Sequence, residues 1–350
     1  MFESFINYIV ASLIPITILF WQVFCYINVL QIQELRMSEA KRGQQAKQPA
    51  HIPILGWWDI AKRIFKKTSQ DNLSLVAAGV AFYALLAIFP AIAAVVSVYA
   101  YFASPTDISE HLSQFVTLLP QSTRELILSQ VSNLAKSSHT SLSLSAFGTL
   151  VLTIWSSSKG SQALITACNI SYHEYEKRSF FKALLMRFIF SVGAIVVAIF
   201  ALVIIGILPI VLNLVGLKES IDLLIKFISW PLLAFTFNFA LVLLYRYAPY
   251  RKAAKWRWIT MGSSIATVLW IAASIGFSFY VSRFASYNET YGSLGGVVIM
   301  LMWLYISAYI VTLGAVINAA TEQQTAKDST VGPAKKRGER GAYVADNLDV

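Results

Sequence analysis

The run Trp155-Ser156-Ser157-Ser158-Lys159-Gly160-Ser161-Gln162 concentrates the chain's most unusual polarity, because it interrupts a segment that otherwise reads as apolar helix. A lysine at the centre of a membrane helix costs about 2.5–3.5 kcal/mol on insertion scales, so Lys159 must snorkel, pair or line a wet cavity. Non-helical backbone is tolerated at membrane depth only where protein or water satisfies it. The serines around Lys159 therefore predict a break in the helix opening onto a polar cavity of Lys159, Ser158, Gln162, Asn169 and Asn318, whose ammonium would draw in an anionic headgroup or phosphate. The plainer alternative is an anchoring lysine near the membrane surface, with the amides bonding between helices. A second set is glycine: Gly292 and Gly296 form a small-xxx-small pair, and with Gly295 and Gly314 they predict close helix approach. Pro90 removes a backbone donor, frees the carbonyl of Leu86 and predicts a kink.

Catalytic constellations are missing from the pattern. His51, His111, His139 and His173 are scattered, and His173-Glu174-Tyr175-Glu176 lacks the second His that a helix-borne zinc site needs. No phosphate-binding glycine loop, serine elbow or acidic metal cluster stands out. The expectation is a protein that is not an enzyme, with no cofactor and no metal. None of the 18 Asp and Glu residues falls clearly inside a span, which also weakens a proton-coupled pump.

The elements that carry these residues follow from composition. The chain is 57% hydrophobic and only 13% charged, about half the charge of ordinary soluble domains. Six long runs lack charge: between Glu3 and Glu34, Asp71 and Asp107, Arg187 and Lys218, Lys226 and Arg246, Arg257 and Arg283, and Glu289 and Glu322. A seventh, Ser137 to Ile170, is broken only by His139 and Lys159. Each is long enough for a helix to cross about 30 Å of hydrocarbon. The fold class is therefore all-α, a polytopic membrane helix bundle of about seven spans.

A net charge of +10 raises the question of nucleic acid, and the placement of the charges answers it. Of 28 Lys and Arg residues, 22 fall on one alternating set of loops and four on the other. The positive-inside rule then puts the N-terminus outside and the C-terminus in the cytoplasm, and topology accounts for the basic loops without nucleic acid. The partners implied are membrane lipids, with anionic headgroups at the basic cytoplasmic loops, and the glycine faces also suit a homo-oligomer. Residues 1–35 read as a retained membrane anchor, since they lack a positive n-region and their uncharged stretch is too long for a signal peptide. In 36–70, Ile54, Leu55, Trp57, Trp58, Ile60, Ala61, Ile64 and Phe65 recur at helical spacing opposite Lys62, Arg63, Lys66 and Lys67, an interfacial amphipathic helix. Residues 71–320 hold the membrane domain, with a small outward lid between Asp107 and Thr140. Trp256, Trp258, Tyr245, Tyr247 and Tyr250 predict an aromatic belt at the headgroups. The polar tail, 321–350, reads as disordered. Cys25 and Cys168 imply no disulfide framework.

Three blocks together resemble the YihY/BrkB family of bacterial inner-membrane proteins. They are Ala77-Ala78-Gly79-Val80-Ala81-Phe82-Tyr83-Ala84-Leu85-Leu86 through Pro90; Trp155 to Gly160 with Ala167, Asn169 and Arg178; and Tyr287-Asn288 with Tyr291 to Gly296, Trp303-Leu304-Tyr305, Gly314-Ala315 and Asn318. The resemblance implies a six-helix core with both ends cytoplasmic, making the first anchor an addition. Val316 stands where the family usually shows an acidic residue, and Met261 where it often shows Pro. Members have been called ribonucleases, serum-resistance factors and envelope-lipid transporters. The function expected is a transporter-like permease for a lipid or amphiphilic envelope component, against the alternatives of a membrane scaffold or envelope-integrity factor and, further off, a membrane-associated ribonuclease.

Overall fold

The computed structural model describes residues 42–99, 144–202, 221–283 and 293–348. The N-terminal anchor, the outward lid and Gly292 lie outside the described residues. Eight α-helices and no named strand occur among the described residues: α1 (Ile54–Gln70), α2 (Leu73–Tyr99), α3 (Leu144–Ser171), α4 (Phe180–Leu202), α5 (Ile221–Tyr247), α6 (Trp256–Arg283), α7 (Ser293–Glu322) and the short α8 (Tyr343–Asp346). Helices α2 to α7, of 23 to 30 residues, are each about 35–45 Å long at 1.5 Å per residue. Phe180–Ala201, Trp256–Val281 and Gly295–Glu322 are each long and apolar enough to cross a membrane. Helices α1 and α2 pass the same test only as a pair, bent by 63° at their junction. The bend falls at Asp71-Asn72, where Asn72 takes φ 47°, a left-handed conformation that its short polar side chain tolerates. Helix α2 runs on through Pro90 to Tyr99, and the side chains around Pro90 lie outside the described residues.

Packing runs α2 on α3, α3 on α4, α4 on α5, α5 on α6, α6 on α7 and α7 back on α2, with α7 also touching α3. The six long helices thus close into a ring. The larger buried cluster gathers Cys168, Tyr172, Tyr245, Trp258, Ala315 and Ala319, all at the end where the basic loops meet. Those loops touch one another: the Ala326 N–H bonds the Gln44 carbonyl, the Lys252 N–H bonds the Gly341 carbonyl, and the Tyr343 N–H bonds Glu174. Residues 42–72, 173–179, 248–255 and 323–348 therefore share one basic end, as their charge pattern requires.

Three expectations change. The tail is folded where described: the Arg340 guanidinium holds the carbonyls of Ala345 and Ala326, Ala254 bridges Thr330, and Val344 is buried. Composition predicts disorder because these contacts are polar, not apolar. Helix α1 is amphipathic, but Arg63 and Lys67 are buried while Phe65 (82%) and Trp58 (62%) stand exposed. Part of its apolar face, Leu55, Trp58 and Phe65, points outward, while Ile60 joins the core and Arg63 bonds the Ala320 carbonyl and Gln324 at the end of α7. In the aromatic belt, Tyr247, Tyr250 and Trp256 are exposed, whereas Trp258 and Tyr245 belong to the core. Trp258 lies two residues, or about 200°, around the helix from Trp256.

Candidate functional site

Helix α3 carries the polar run without a break, continuous from Leu144 to Ser171, so the expected discontinuity at Lys159 does not occur. The hydroxyls of Ser161 and Ser191 bond across α3 and α4 at 2.9 Å. Gly160 is the contact point with α2, where an added Cβ would lie 3.2 Å from the Ala87 Cβ and 3.5 Å from the Tyr83 carbonyl. Ser158, Ser161, Ile165, Cys168 and Asn169 are buried. Lys159 and Gln162 are half-buried and Thr166 is exposed. These last three stand at i, i+3 and i+7 and so share one face of α3, turned away from the buried one. Lys159 is twelve residues from Ser171, about 18 Å along the axis.

The amides expected beside Lys159 are engaged elsewhere. The Asn169 Oδ1 accepts the Tyr250 N–H at 2.7 Å, and its Nδ2 donates to Glu176 at 3.3 Å. The Asn318 Oδ1 accepts the Gly262 N–H at 2.7 Å, tying α7 to α6. At that crossing a Cβ on Gly314 would strike the Tyr245 hydroxyl and lie 2.8 Å from the Ala266 Cβ, while a Cβ on Gly262 would strike the Gly314 carbonyl. Gly314 is thus a close-packing residue with Gly262 as its partner. Gly295 and Gly296 are buried. Val316 is fully buried between Gly314 and Asn318.

The three sequence blocks converge. Ser74 and Tyr305 pair their hydroxyls at 2.9 Å, and Ala77, Val80, Ala167 and Ala308 form one buried cluster, so α2, α3 and α7 make a single unit.

Sequence reasoning missed the buried ion pair that closes the basic end. Arg251 donates from both terminal nitrogens to Glu322, at 2.9 and 2.5 Å, with the two side chains 2% and 1% exposed. The guanidinium lies 5.0 Å from the centre of the Tyr172 ring, and Ser329 adds a hydroxyl to the carboxylate. Beside it, Arg178 spans the carbonyls of Tyr247, Ala248 and Pro249. Burial raises the pKa of Glu174 above its ordinary value, against the Tyr343 N–H and Arg251, which lower it. The available signal was Glu322, a carboxylate ending the last apolar run one turn after Asn318.

Six long helices closed into a ring, three of them long and apolar enough to cross a membrane and α3 with a polar face, joined through one basic end, define a helical membrane protein. The model of the family described as virulence factor BrkB matches residues 64–339, and the chain belongs to that family. A ribonuclease-like protein of Bacillus subtilis (strain 168), YfkH, is 29% identical over 267 residues, 74% of this chain and 93% of the relative. The UPF0761 membrane protein NTHI0384 of Haemophilus influenzae (strain 86-028NP) is 23% identical over the same shares of both chains. A UPF0761 membrane protein of Tolumonas auensis is 35% identical over 79 residues, 23% of this chain and 26% of that relative. No solved structure matches.

Proposed function

We propose that the protein is a permease of the bacterial inner membrane, with its basic end in the cytoplasm, that passes the headgroup of a lipid or other amphiphilic envelope component along the outer face of α3. The observation that carries this reading is the stripe of Lys159, Gln162 and Thr166 on a half-buried to exposed helix face, reaching about 18 Å inward from Ser171. An ionisable residue at that depth marks a substrate path more often than a packing site. A stripe open to the side suits a molecule whose chains stay in hydrocarbon while its headgroup follows the polar groups. The lysine selects an anionic headgroup. The orientation rests on the excess of Lys and Arg at the basic end. The proposal includes no catalytic step.

The test is reconstitution into liposomes carrying a headgroup-labelled anionic phospholipid in both leaflets, with a membrane-impermeant quencher added outside. Vesicles with protein should lose the inner-leaflet signal faster than empty ones. Equal rates over a panel of anionic and zwitterionic lipids would contradict the reading.

A further inference from the structure

Between α1 and the end of α7 the described residues form a half-open basin of about 210 Å³. Arg42, Lys62, Arg63 and Lys66 line it against one carboxylate, Asp59, which pairs with Arg42 at 3.1 Å. Arg63 is fixed in the wall by the Ala320 carbonyl at 2.8 Å and by Gln324 at 3.0 Å. Gln323 also lines the basin. It is 3% exposed, and its Oε1 is buried without a hydrogen-bond partner. A buried acceptor without a donor is unfavourable unless a ligand or water supplies one.

We infer that this basin binds the headgroup of an anionic phospholipid that carries a free hydroxyl, its phosphodiester held by Lys62, Lys66 and Arg63 and its hydroxyl donating to the Gln323 Oε1. An ammonium headgroup would also satisfy the amide oxygen, but four cations against one carboxylate repel it. A neutral hydroxyl meets no such opposition. The lipid, as opposed to a soluble phosphate, follows from the geometry of α1. With 100° between successive residues, the basin face at Asp59, Arg63 and Lys66 adjoins the exposed apolar face of Leu55, Trp58 and Phe65. Lys62 stands at the border, its Nζ 5.3 Å from the centre of the Trp58 ring. A headgroup in the basin thus leaves its chains beside an apolar surface. The site is separate from the α3 stripe and stands or falls independently of transport.

The experiment measures the thermal midpoint of the purified full-length protein in detergent against dioctanoyl phosphatidylglycerol, phosphatidylmethanol and phosphatidylethanolamine, and against glycerol 1-phosphate. Phosphatidylglycerol should raise the midpoint saturably, phosphatidylmethanol should need more ligand, and phosphatidylethanolamine and glycerol 1-phosphate should have no effect. Lys62→Gln with Lys66→Gln, both exposed positions, should keep the ligand-free midpoint and weaken the response to phosphatidylglycerol roughly thirtyfold. Gln323→Leu should remove the preference over phosphatidylmethanol. An equal response to glycerol 1-phosphate would make this a soluble-anion site and overturn the proposal. So would an equal response to phosphatidylethanolamine, or an unchanged response in the lysine double variant.

Discussion

Arg251 and Glu322 show what a buried charge demands. Taking two ions out of water is repaid only by close, complete pairing, and here the fork of Arg251 meets both carboxylate oxygens while Ser329 takes a further lone-pair site. Glu322→Gln would leave a buried guanidinium unpaired, so it should cost about 3–5 kcal/mol and lower folded yield in detergent. Arg251→Met with Glu322→Leu should recover much of that loss, because neither charge is then stranded. A double variant as unstable as the two singles combined would show that the pair does not act as a unit. In the sequence, Arg251 was one of five cations in a basic loop and Glu322 a boundary marker. Their pairing across 71 residues follows from the ring closure and from no local pattern. Lys159 was legible as an anomaly because a charge in an apolar run stands out, but its face on α3 depended on which neighbours became buried.

The long helices were legible because uncharged runs of membrane length admit few other structures. Their contacts were less so. Gly314 announced close packing, whereas Gly262 passed unremarked until the α6–α7 crossing put the two backbones together. Gly262→Ala and Gly314→Ala should each lower stability by about 1–3 kcal/mol, since a backbone carbonyl and a hydroxyl must move aside. Unchanged thermal midpoints in both variants would remove that account. The tail was misjudged because hydrophobicity carries no record of its bonds. The Asp328 carboxylate accepts the N–H groups of Thr330 and Lys335; although burial pushes its pKa up, these bonds, the Thr330 hydroxyl and Arg340 hold it below the ordinary 3.8. A depressed carboxylate stabilises the fold above its unfolded pKa, and the contribution disappears as pH falls through the folded value. A spin label at Lys336 should therefore gain mobility only below about pH 3.8. In Asp328→Ala it should be more mobile at neutral pH already. A label equally immobile in that variant would contradict the carboxylate's role.

At the scale of the whole molecule, the charge count grouped the loops before any contact was known, and the structure joins the described members of that group at one end. The grouping was legible because loops alternate sides in a chain of spans, and basic residues collect where translocation is opposed. Reporter fusions after Lys67, Lys255 and Glu322 should therefore agree with one another and report the cytoplasm. Fusions at Ser122 and Asn288 should report the outside. A cytoplasmic signal at Ser122 would overturn the orientation. The central claim is that a polar face on α3 carries an anionic headgroup through the membrane, and charge at Lys159 tests it most directly. Initial rates of labelled phosphatidylglycerol movement should be compared in liposomes holding equal amounts of folded wild type, Lys159→Arg and Lys159→Gln. The account predicts near wild-type rates for Lys159→Arg and a loss of roughly tenfold or more for Lys159→Gln, the worth of about 1.4 kcal/mol or more of headgroup attraction. Lys159→Gln moving lipid as fast as wild type would contradict it.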